Sequence, residues 1–315
     1  MAIRRALVTG APGWLGSRLV TDLLAAGVEV RYLRLPGSDP RGLQGAEPVE
    51  GDVTDPSSLT GAAEGCDAVF HAAGIIHPPT FGLGVLHRVN MEGTRNILAE
   101  ALRAGVTRFM HVSSNSACGT NASHDVPMTE NTPNKPYMAY GRSKLAAEKI
   151  VTDAQMAGHI DTTIVRPCWF YGPGQPERQT RLMKMIIEGT APVFGSGDNL
   201  RSMSYVPSLS AALITAASSE ATRGELYWVC DERPYTTMEV YQSIADALGV
   251  TPLNVTKYPA WGSPASRLAD TIIQGIGLYQ QEIHVAGEMD EDIFASSDKA
   301  KNDFGYDAPK SLAPG

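Results

Sequence analysis

A tyrosine and a lysine stand four residues apart in the segment YMAYGRSK, at Tyr140 and Lys144. On a helix, two residues at this spacing share a face and lie about one turn apart. A free tyrosine has a pKa of about 10 and is a poor base at neutral pH, but a nearby ammonium favours the phenolate. The pair therefore predicts an acid/base unit that moves a proton on a secondary alcohol. An exposed helix face without chemistry is the alternative.

A serine precedes this pair by 26 residues, at Ser114. It follows the apolar segment RFMHV, which predicts a buried strand, so we expect Ser114 at the carboxyl end of that strand. A hydroxyl in this position can hydrogen-bond the reacting oxygen and hold it against Tyr140. The three side chains together predict proton transfer at an alcohol or carbonyl oxygen.

Three glycines, Gly10, Gly13 and Gly16, stand at intervals of three near the start of the chain. The apolar segment RALVT precedes them, a helical stripe of leucines follows, and the segment VEVRYL predicts a second strand. This order predicts a βαβ unit with parallel strands. A glycine loop at the start of the helix offers bare N–H groups and a positive dipole end to a pyrophosphate. A tight turn with close helix packing is the alternative.

Strand and helix patterns alternate through the first half of the chain, which predicts an α/β fold with a Rossmann-type doubly wound parallel sheet. The predicted strands lie within 49–55, 67–74, 108–119 and 161–167, and the helices within 89–105 and 137–158. We expect residues 1–167 to form the dinucleotide-binding domain. Residues 168–315 should form mainly a smaller C-terminal substrate-binding lobe, with a segment near 202–230 returning to the core. Thr236-x-x-Glu239 predicts a capping box.

Composition restricts the possible partners. A net charge of −8 argues against a nucleic-acid groove or an anionic membrane surface. No stretch approaches the ~20 apolar residues of a membrane span. The four cysteines are far apart without a C-x-x-C pair, and no histidines show metal-ligand spacing. We therefore expect a cytoplasmic protein with no metal site and a small-molecule substrate; a homodimer stays open.

The glycine pattern, the SSNSACG turn at 113–119 and Tyr140-x-x-x-Lys144 together resemble the extended short-chain dehydrogenase/reductase superfamily, in its branch of sugar-nucleotide epimerases and dehydratases. The resemblance continues in the family's order over nearly the whole chain. It implies hydride transfer between NAD(P) and an alcohol or ketone carbon. The further matching segments are GDVTD (51–55), HAAG (71–74), VNMEGTRN (89–96), RPCWFYGPG (166–174), RSMSYV (201–206) and SSDKAKNDFGYDAP (296–309).

The resemblance also implies roles for individual residues. Tyr140 would be the acid/base, Lys144 would hold the nicotinamide ribose, and Ser114 would orient the substrate oxygen. Asn90 would lie near the substrate; capping the helix that follows is its alternative role. The other residues implied in cofactor binding are Gly10, Gly13, Trp14, Leu15, Gly16, Asp52, Val53, Ala72, Ala73, Gly74 and Pro167.

The cofactor's 2′ position is the point where NAD and NADP differ. An acidic residue about 20 positions after the glycines typically binds the ribose 2′-OH of NAD. Here the second predicted strand ends in Arg34. An arginine suits a 2′-phosphate, so the sequence favours NADP over NAD. A solvated arginine at a strand end is the alternative.

The substrate signals point in two directions. Arg201 falls where sugar-nucleotide enzymes of the superfamily place an arginine on the diphosphate. Trp169, by contrast, stands where those enzymes usually have an asparagine, and resembles relatives that act on steroid- or flavonoid-like ketones. His77 follows a strand and can reach a substrate, although a plain loop residue is its alternative reading.

The leading expectation is an epimerase or ketosugar reductase acting on a nucleotide-sugar. The first alternative is an NADP-dependent reductase or dehydrogenase of a hydrophobic ketone or alcohol. The second is a non-catalytic NADP-sensing regulator, against which the intact Tyr140 and Lys144 count.

Overall fold

The first half of the chain builds a parallel sheet with helices between its strands. A computed structural model describes residues 3–38, 43–177 and 180–312. Every strand pair of this sheet is parallel, as the βαβ connections require. The elements are β1 (Arg5–Thr9), α1 (Trp14–Ala25), β2 (Glu29–Arg34), β3 (Glu47–Glu50), β4 (Ala68–His71), α2 (Leu83–Leu86), α3 (Gly93–Arg103), β5 (Arg108–Val112), α4 (Met138–Met156) and β6 (Asp161–Pro167).

The second half adds short strands and several helices. Most of its strands pair two by two, and β11 is the exception because it joins the large sheet beside β6. The elements are β7 (Trp169–Tyr171), α5 (Arg181–Ile187), β8 (Pro192–Phe194), β9 (Leu200–Arg201), β10 (Met203–Tyr205), α6 (Val206–Ser218), β11 (Glu225–Val229), β12 (Tyr235–Thr236), α7 (Thr237–Leu248), β13 (Thr256–Tyr258), α8 (Gly262–Gly275), α9 (Gln281–Glu288) and α10 (Asp298–Phe304).

The strand order of the large sheet is β11-β6-β5-β4-β1-β2-β3. The chain moves outward from β1 through β2 and β3, then returns to β4 on the other side of β1. The order therefore reverses between β1 and β4, and a crevice opens there at the carboxyl ends of the strands. The predicted Rossmann-type doubly wound sheet is confirmed.

Apolar periodicity explains how the helices pack on this sheet. Leu15, Leu19 and Leu23 of α1 are all buried in one hydrophobic cluster. That cluster also includes apolar side chains of β1 and α6, so α1 covers one face of the sheet. The capping box predicted at the start of α7 is confirmed, with Thr236 and Glu239 bonding to each other's backbone N–H groups.

The helix predicted over 89–105 begins differently from the expectation. Residues His87–Glu92 form a π-helical turn, and the regular helix α3 starts only at Gly93. The Thr94 hydroxyl donates to the Asn90 carbonyl oxygen at 2.6 Å, which draws this wider turn together. Such turns are frequent at functional sites. Within the described ranges, no helix combines the length and apolar character needed to cross a bilayer.

Candidate active site

The glycine loop joins the carboxyl end of β1 to the start of α1. Gly10 has a φ of +73°, in the left-handed region that favours glycine. Gly13 is the N-cap of α1, and its N–H donates to the Gly10 carbonyl oxygen at 2.9 Å. Gly13 has no side chain with which to cap the helix, so the N–H groups of the first turn can serve an anion.

Close backbone packing explains why these positions exclude side chains. A Cβ at Gly10 would lie 2.7 Å from the Ala73 nitrogen, and one at Gly16 would lie 2.6 Å from the Gly10 carbonyl carbon. The loop therefore sits directly against the Ala72–Ala73 backbone, which follows β4. Most of the residues that the resemblance assigns to the cofactor come together here, at the start of α1, where the free N–H groups of the first helical turn suit a dinucleotide pyrophosphate.

The three predicted catalytic residues lie at the carboxyl end of β5. Ser114 follows this strand, and Tyr140 and Lys144 stand one turn apart near the start of α4. The Ser114 hydroxyl is placed to hydrogen-bond Tyr140. The buried Lys144 ammonium donates to the Val112 carbonyl oxygen at 2.9 Å. The geometry is therefore that of an acid/base group with an orienting hydroxyl beside it.

The protonation of Tyr140 differs from the sequence-based expectation. Burial raises the pKa of Tyr140, the hydrogen bond from Ser114 lowers it, and the charge of Glu288 raises it further. We expected the neighbouring Lys144 to lower this pKa, but the net shift is upward because burial outweighs the favourable contacts. Tyr140 therefore keeps its proton at neutral pH and is ready to act as an acid.

Burial also governs Lys144. It lowers the pKa of Lys144 to about 8, and the charge of Glu148, one turn further along α4, opposes this shift. Burial, with help from the charge of Lys144, lowers the pKa of His71 to about 3. His71 hydrogen-bonds the hydroxyls of Thr9 at 2.7 Å and Thr94 at 3.0 Å. His71 is thus a neutral residue that joins β1, β4 and α3 below the site.

A buried network that the sequence analysis did not assign lies behind the catalytic residues. The Ser113 hydroxyl donates to Glu148 Oε1 at 2.5 Å, and Arg166 donates to both carboxylate oxygens of Glu148. The network links β5, α4 and β6 one helical turn beyond Lys144. One signal was present in the sequence, because Glu148 follows Lys144 by four residues and so shares its helix face.

The predicted cofactor residues on the β2–β3 side are engaged with neighbours. Arg34 ends β2, and its Nη2 forms an ion pair with Glu50 Oε1 at 2.8 Å. Asp52 Oδ1 accepts hydrogen bonds from the N–H and the hydroxyl of Thr54, each at 2.8 Å. Val53 is buried. The Arg34 charge is therefore shared with a carboxylate in this structure.

The buried Asn90 ties the loop after β4 to α4. Its amide nitrogen donates to the Ile75 carbonyl oxygen and to the Ser143 hydroxyl, both at 2.9 Å. Its carbonyl oxygen accepts from the Ile75 N–H at 2.8 Å, and Gly74 packs beside it. The alternative role of Asn90 as a helix cap is wrong, because both the amide nitrogen and the amide oxygen of its side chain are hydrogen-bonded to Ile75 or Ser143. Its substrate contact stays a prediction.

Two tryptophans lie close to the carboxyl ends of the sheet strands, Trp14 after β1 and Trp169 after β6. Trp14, the first residue of α1, donates from Nε1 to the Pro173 carbonyl oxygen at 2.8 Å and meets Phe170 edge to face. Trp169 begins β7 and is 44% exposed, so its ring is open to a ligand. Leu15 is a core residue below the glycine loop, and Pro167 is the last residue of β6.

Arg201 lies on β9, where its guanidinium donates to the backbone carbonyl oxygen of Glu288 at the end of α9. Burial lowers the pKa of Arg201, whereas the negative charges of Glu288, Glu291 and Asp292 raise it. The guanidinium therefore binds the C-terminus of a helix, and three carboxylates are close enough for their charges to act on it.

Helices α8 and α9 contribute a buried polar cluster that the sequence analysis missed. Asp270 on α8 accepts hydrogen bonds from Tyr137 at 3.1 Å and Gln274 at 3.0 Å, and its Oδ2 lies 2.8 Å from His284 Nδ1. Tyr137 is the N-cap of α4, three residues before Tyr140. No sequence signal links these residues, because Tyr137 and Asp270 are 133 positions apart.

The loop after β4 also contacts the lobe. His77 Nδ1 lies 2.5 Å from Tyr279 Oη, and the Tyr279 N–H donates to the Thr80 carbonyl oxygen at 2.8 Å. His77 therefore contacts the segment between α8 and α9. Across the part of the chain that the structure describes, no three His, Cys, Asp or Glu residues are grouped to hold a metal ion.

Comparisons with known proteins identify the family of this chain. The protein y4nL of Sinorhizobium fredii is 38% identical over 324 residues, which cover 96% of this chain and 90% of that protein. The 3 beta-hydroxysteroid dehydrogenase/Delta 5-->4-isomerase of Mycobacterium tuberculosis is 28% identical, over 96% of this chain and 86% of that protein.

The solved structures include DesIV, a dTDP-glucose 4,6-dehydratase from Streptomyces venezuelae with NAD and TYD bound. It aligns with a TM-score of 0.78 at 25% identity, over 99% of this chain and 94% of that one. Residues 6–230 match the model of the NAD dependent epimerase/dehydratase family. The chain belongs to that family and is an NAD(P)-dependent oxidoreductase.

Proposed function

We propose that this protein is an NADP-dependent reductase or dehydrogenase that acts on an uncharged, largely apolar ketone or secondary alcohol. The glycine loop, Lys144 and the backbone after β4 would hold the cofactor, and Trp169 would form part of the substrate surface. The hydride is supplied or taken by the bound nicotinamide. The protein's own task is to position the substrate oxygen and to move its proton.

Ser114 and Tyr140 perform that task. The Ser114 hydroxyl would hydrogen-bond the substrate oxygen and keep it beside Tyr140. Because Tyr140 holds its proton at neutral pH, it can donate this proton to the oxygen as a ketone becomes an alcohol. In the reverse direction Tyr140 must first lose the proton, which its raised pKa disfavours. Protonated Tyr140 therefore suits the proton donation that reduction requires.

The groups around Arg201 are the main reason for proposing an uncharged substrate. A diphosphate in the cleft would need a cation to balance its charge. Arg201 is the predicted cation, but its guanidinium donates to the Glu288 backbone carbonyl at the end of α9. The negative charges of Glu288, Glu291 and Asp292 also act on this guanidinium. Carboxylates beside a guanidinium repel an incoming anion. The similarity to a hydroxysteroid dehydrogenase supports an apolar alcohol or ketone.

A nucleotide-sugar substrate is the second candidate. The position of Arg201 in the RSMSYV segment favours it, as does the similarity to DesIV, whose structure contains TYD. Under this reading the Arg201 guanidinium would exchange the Glu288 carbonyl for phosphate oxygens, to which its planar fork can make two bonds.

Titration calorimetry with UDP, dTDP and GDP separates the two candidates, with NADPH present. We expect no saturable binding of these nucleotides to the unmodified protein, together with NADPH-dependent reduction of apolar ketones followed at 340 nm. Saturable binding that weakens by about ten- to a hundredfold in Arg201→Ala would instead support the nucleotide-sugar reading.

A further inference from the structure

The helix α4, which carries Tyr140 and Lys144, begins without a cap of its own. Its N-cap residue, Tyr137, forms no side-chain hydrogen bond to the first turn. Met138, the first helical residue, has a φ of +51°, and among the described residues no other residue with a side chain has a positive φ. This left-handed conformation is strained for methionine and persists only where the surrounding structure imposes it. The start of α4 is therefore held from outside the helix.

Gln274 on α8 supplies the missing cap. Its Oε1 accepts a hydrogen bond from the Ala139 N–H at 3.1 Å, and Ala139 directly precedes Tyr140. The N–H groups of a first helical turn have no partner within their own helix, so an acceptor from elsewhere has to satisfy them. Helix α8 thus holds the backbone of the residue next to the catalytic tyrosine.

Asp270, one turn earlier on α8, determines which end of the Gln274 amide meets α4. Asp270 Oδ1 accepts from Gln274 Nε2 at 3.0 Å, and both side chains are buried. An ionised carboxylate can only accept, so it binds the amide nitrogen and leaves the amide oxygen for Ala139. Asp270 Oδ2 accepts from the Tyr137 hydroxyl at 3.1 Å. The two side chains of α8 therefore bind the N-cap residue and the second residue of α4 together.

The first turn of α4 also packs against the loop that carries Ser114. A Cβ at Gly141 would lie 3.2 Å from the Ser116 carbonyl carbon, so the helix and this loop are in close backbone contact. The Ser116 N–H donates to the Ser114 hydroxyl oxygen at 3.2 Å. The segment around Tyr140 is thus in contact with both the Ser114 loop and α8.

We propose that Gln274 and Asp270 are positioning residues, which set the distance from the Tyr140 hydroxyl to the substrate oxygen held by Ser114. The inference rests on the proposed function, because it takes Tyr140 as the proton donor. Without the bond to the Ala139 N–H, the strained first turn of α4 would relax and Tyr140 would move with it. A misplacement of about 1 Å can lower turnover by about a hundredfold. Gln274 and Asp270 themselves would not touch the substrate.

Gln274→Met tests the assignment, because it keeps the length of the side chain and removes both hydrogen bonds. With acetophenone and NADPH, kcat should fall by about ten- to a hundredfold, while KM changes by less than about threefold. The solvent deuterium isotope effect on kcat should rise, because proton transfer from a displaced Tyr140 becomes slower than the other steps. Gln242→Met is the matched control, since Gln242 bonds to Asp246 one turn away on the exposed face of α7. It should behave like the unmodified protein.

A double-variant cycle with Tyr140→Phe separates positioning from general damage to the fold. If Gln274 acts through Tyr140, Gln274→Met should lower the residual turnover of the Tyr140→Phe protein by less than about twofold. An equal loss with and without the Tyr140 hydroxyl would overturn the assignment. Tyr137→Phe is a milder variant should Gln274→Met fail to fold, because it removes only the hydroxyl bound by Asp270. It should lower kcat by about three- to tenfold and obey the same cycle.

Hydrogen exchange tests the cap without any substrate. The backbone N–H groups at the start of α4 should exchange at least about tenfold faster in Gln274→Met, and at the normal rate in Gln242→Met. Unchanged exchange in Gln274→Met would overturn the assignment. If the unmodified protein reduces no apolar ketone, the proposed function fails, whereas faster exchange would still support Gln274 as the residue that holds the start of α4.

Discussion

The Arg166 guanidinium and the Glu148 carboxylate form a buried pair with two hydrogen bonds, from Nε to Oε1 at 2.8 Å and from Nη2 to Oε2 at 2.6 Å. Both side chains are almost completely inaccessible to water. The same carboxylate accepts from the Ser113 hydroxyl and stands one turn beyond Lys144. The pair therefore fixes the strand end that carries Ser114 relative to the helix that carries Tyr140.

Glu148→Gln should destabilise the protein by about 3–5 kcal/mol, because it leaves the buried Arg166 without a counter-charge. Chemical denaturation followed by circular dichroism measures this loss. Glu220→Gln is the control, since Glu220 forms an exposed ion pair with Arg223, and it should change stability by less than about 1 kcal/mol. Equal effects of the two substitutions would show that the buried pair adds no special stability.

Lys144 should make the stability depend on pH in the alkaline range. Burial lowers its pKa from 10.5 to about 8, so above pH 8 the folded state releases a proton that the unfolded state still holds. The unfavourable contribution of buried Lys144 is thus greatest below pH 8 and is relieved between pH 8 and about 10.5. Any excess stability of Lys144→Met over the unmodified protein should shrink across this range in denaturation at stepped pH values. A constant difference would contradict the shift.

Tyr140→Phe should reduce turnover by about 10²–10⁴, the usual contribution of a positioned acid/base group, while NADPH affinity and folding stay nearly unchanged. Tyr306→Phe is a matched control, because the Tyr306 hydroxyl is buried without a hydrogen-bond partner among the described residues. It should keep full turnover and lose no stability. Steady-state kinetics on both variants make the comparison, and a Tyr140→Phe enzyme of normal turnover would remove Tyr140 from the mechanism.

The Arg34–Glu50 ion pair gives a two-sided test of cofactor choice. Arg34→Asp should weaken NADPH binding by roughly ten- to a hundredfold, since it replaces attraction of a 2′-phosphate by repulsion, and NADH binding should hold or improve. Glu50→Gln should strengthen NADPH binding, because it releases Arg34 and removes a competing charge. Fluorescence titration measures the affinity of each of the three proteins for NADPH and NADH. The assignment of Arg34 fails if the unmodified protein binds both cofactors equally.

Gly287→Ala should destabilise the packing of α9 against α8 and the Tyr137 side chain. Its methyl group would lie 2.8 Å from the Tyr137 hydroxyl and 3.2 Å from the Arg267 backbone on α8, so the tyrosine side chain or the neighbouring helix must shift, at a cost of about 1–3 kcal/mol. Gly275→Ala, at the end of α8, meets nothing within 4 Å and should not destabilise the protein. In thermal unfolding, the melting temperature should therefore fall for Gly287→Ala and should not fall for Gly275→Ala.

Local sequence patterns predicted much of the fold. The strand predicted over 161–167 appears with the same ends as β6, and the capping box at Thr236 and Glu239 forms as expected. These features depend on neighbouring residues, whose side-chain spacing and backbone hydrogen bonds are set within a few positions. The parallel order of the sheet also followed from sequence, because a strand–helix–strand connection returns in only one direction.

The spacing of Tyr140 and Lys144 is a helical property, so the sequence by itself determined that they share a face. Only the tertiary structure decided their surroundings. Burial raises the pKa of Tyr140. Arg34 forms an ion pair with Glu50, and the Arg201 guanidinium donates a hydrogen bond to the end of α9. Burial and ion pairs depend on segments that are far apart in the sequence. No local pattern encodes which of these segments meet in the folded protein.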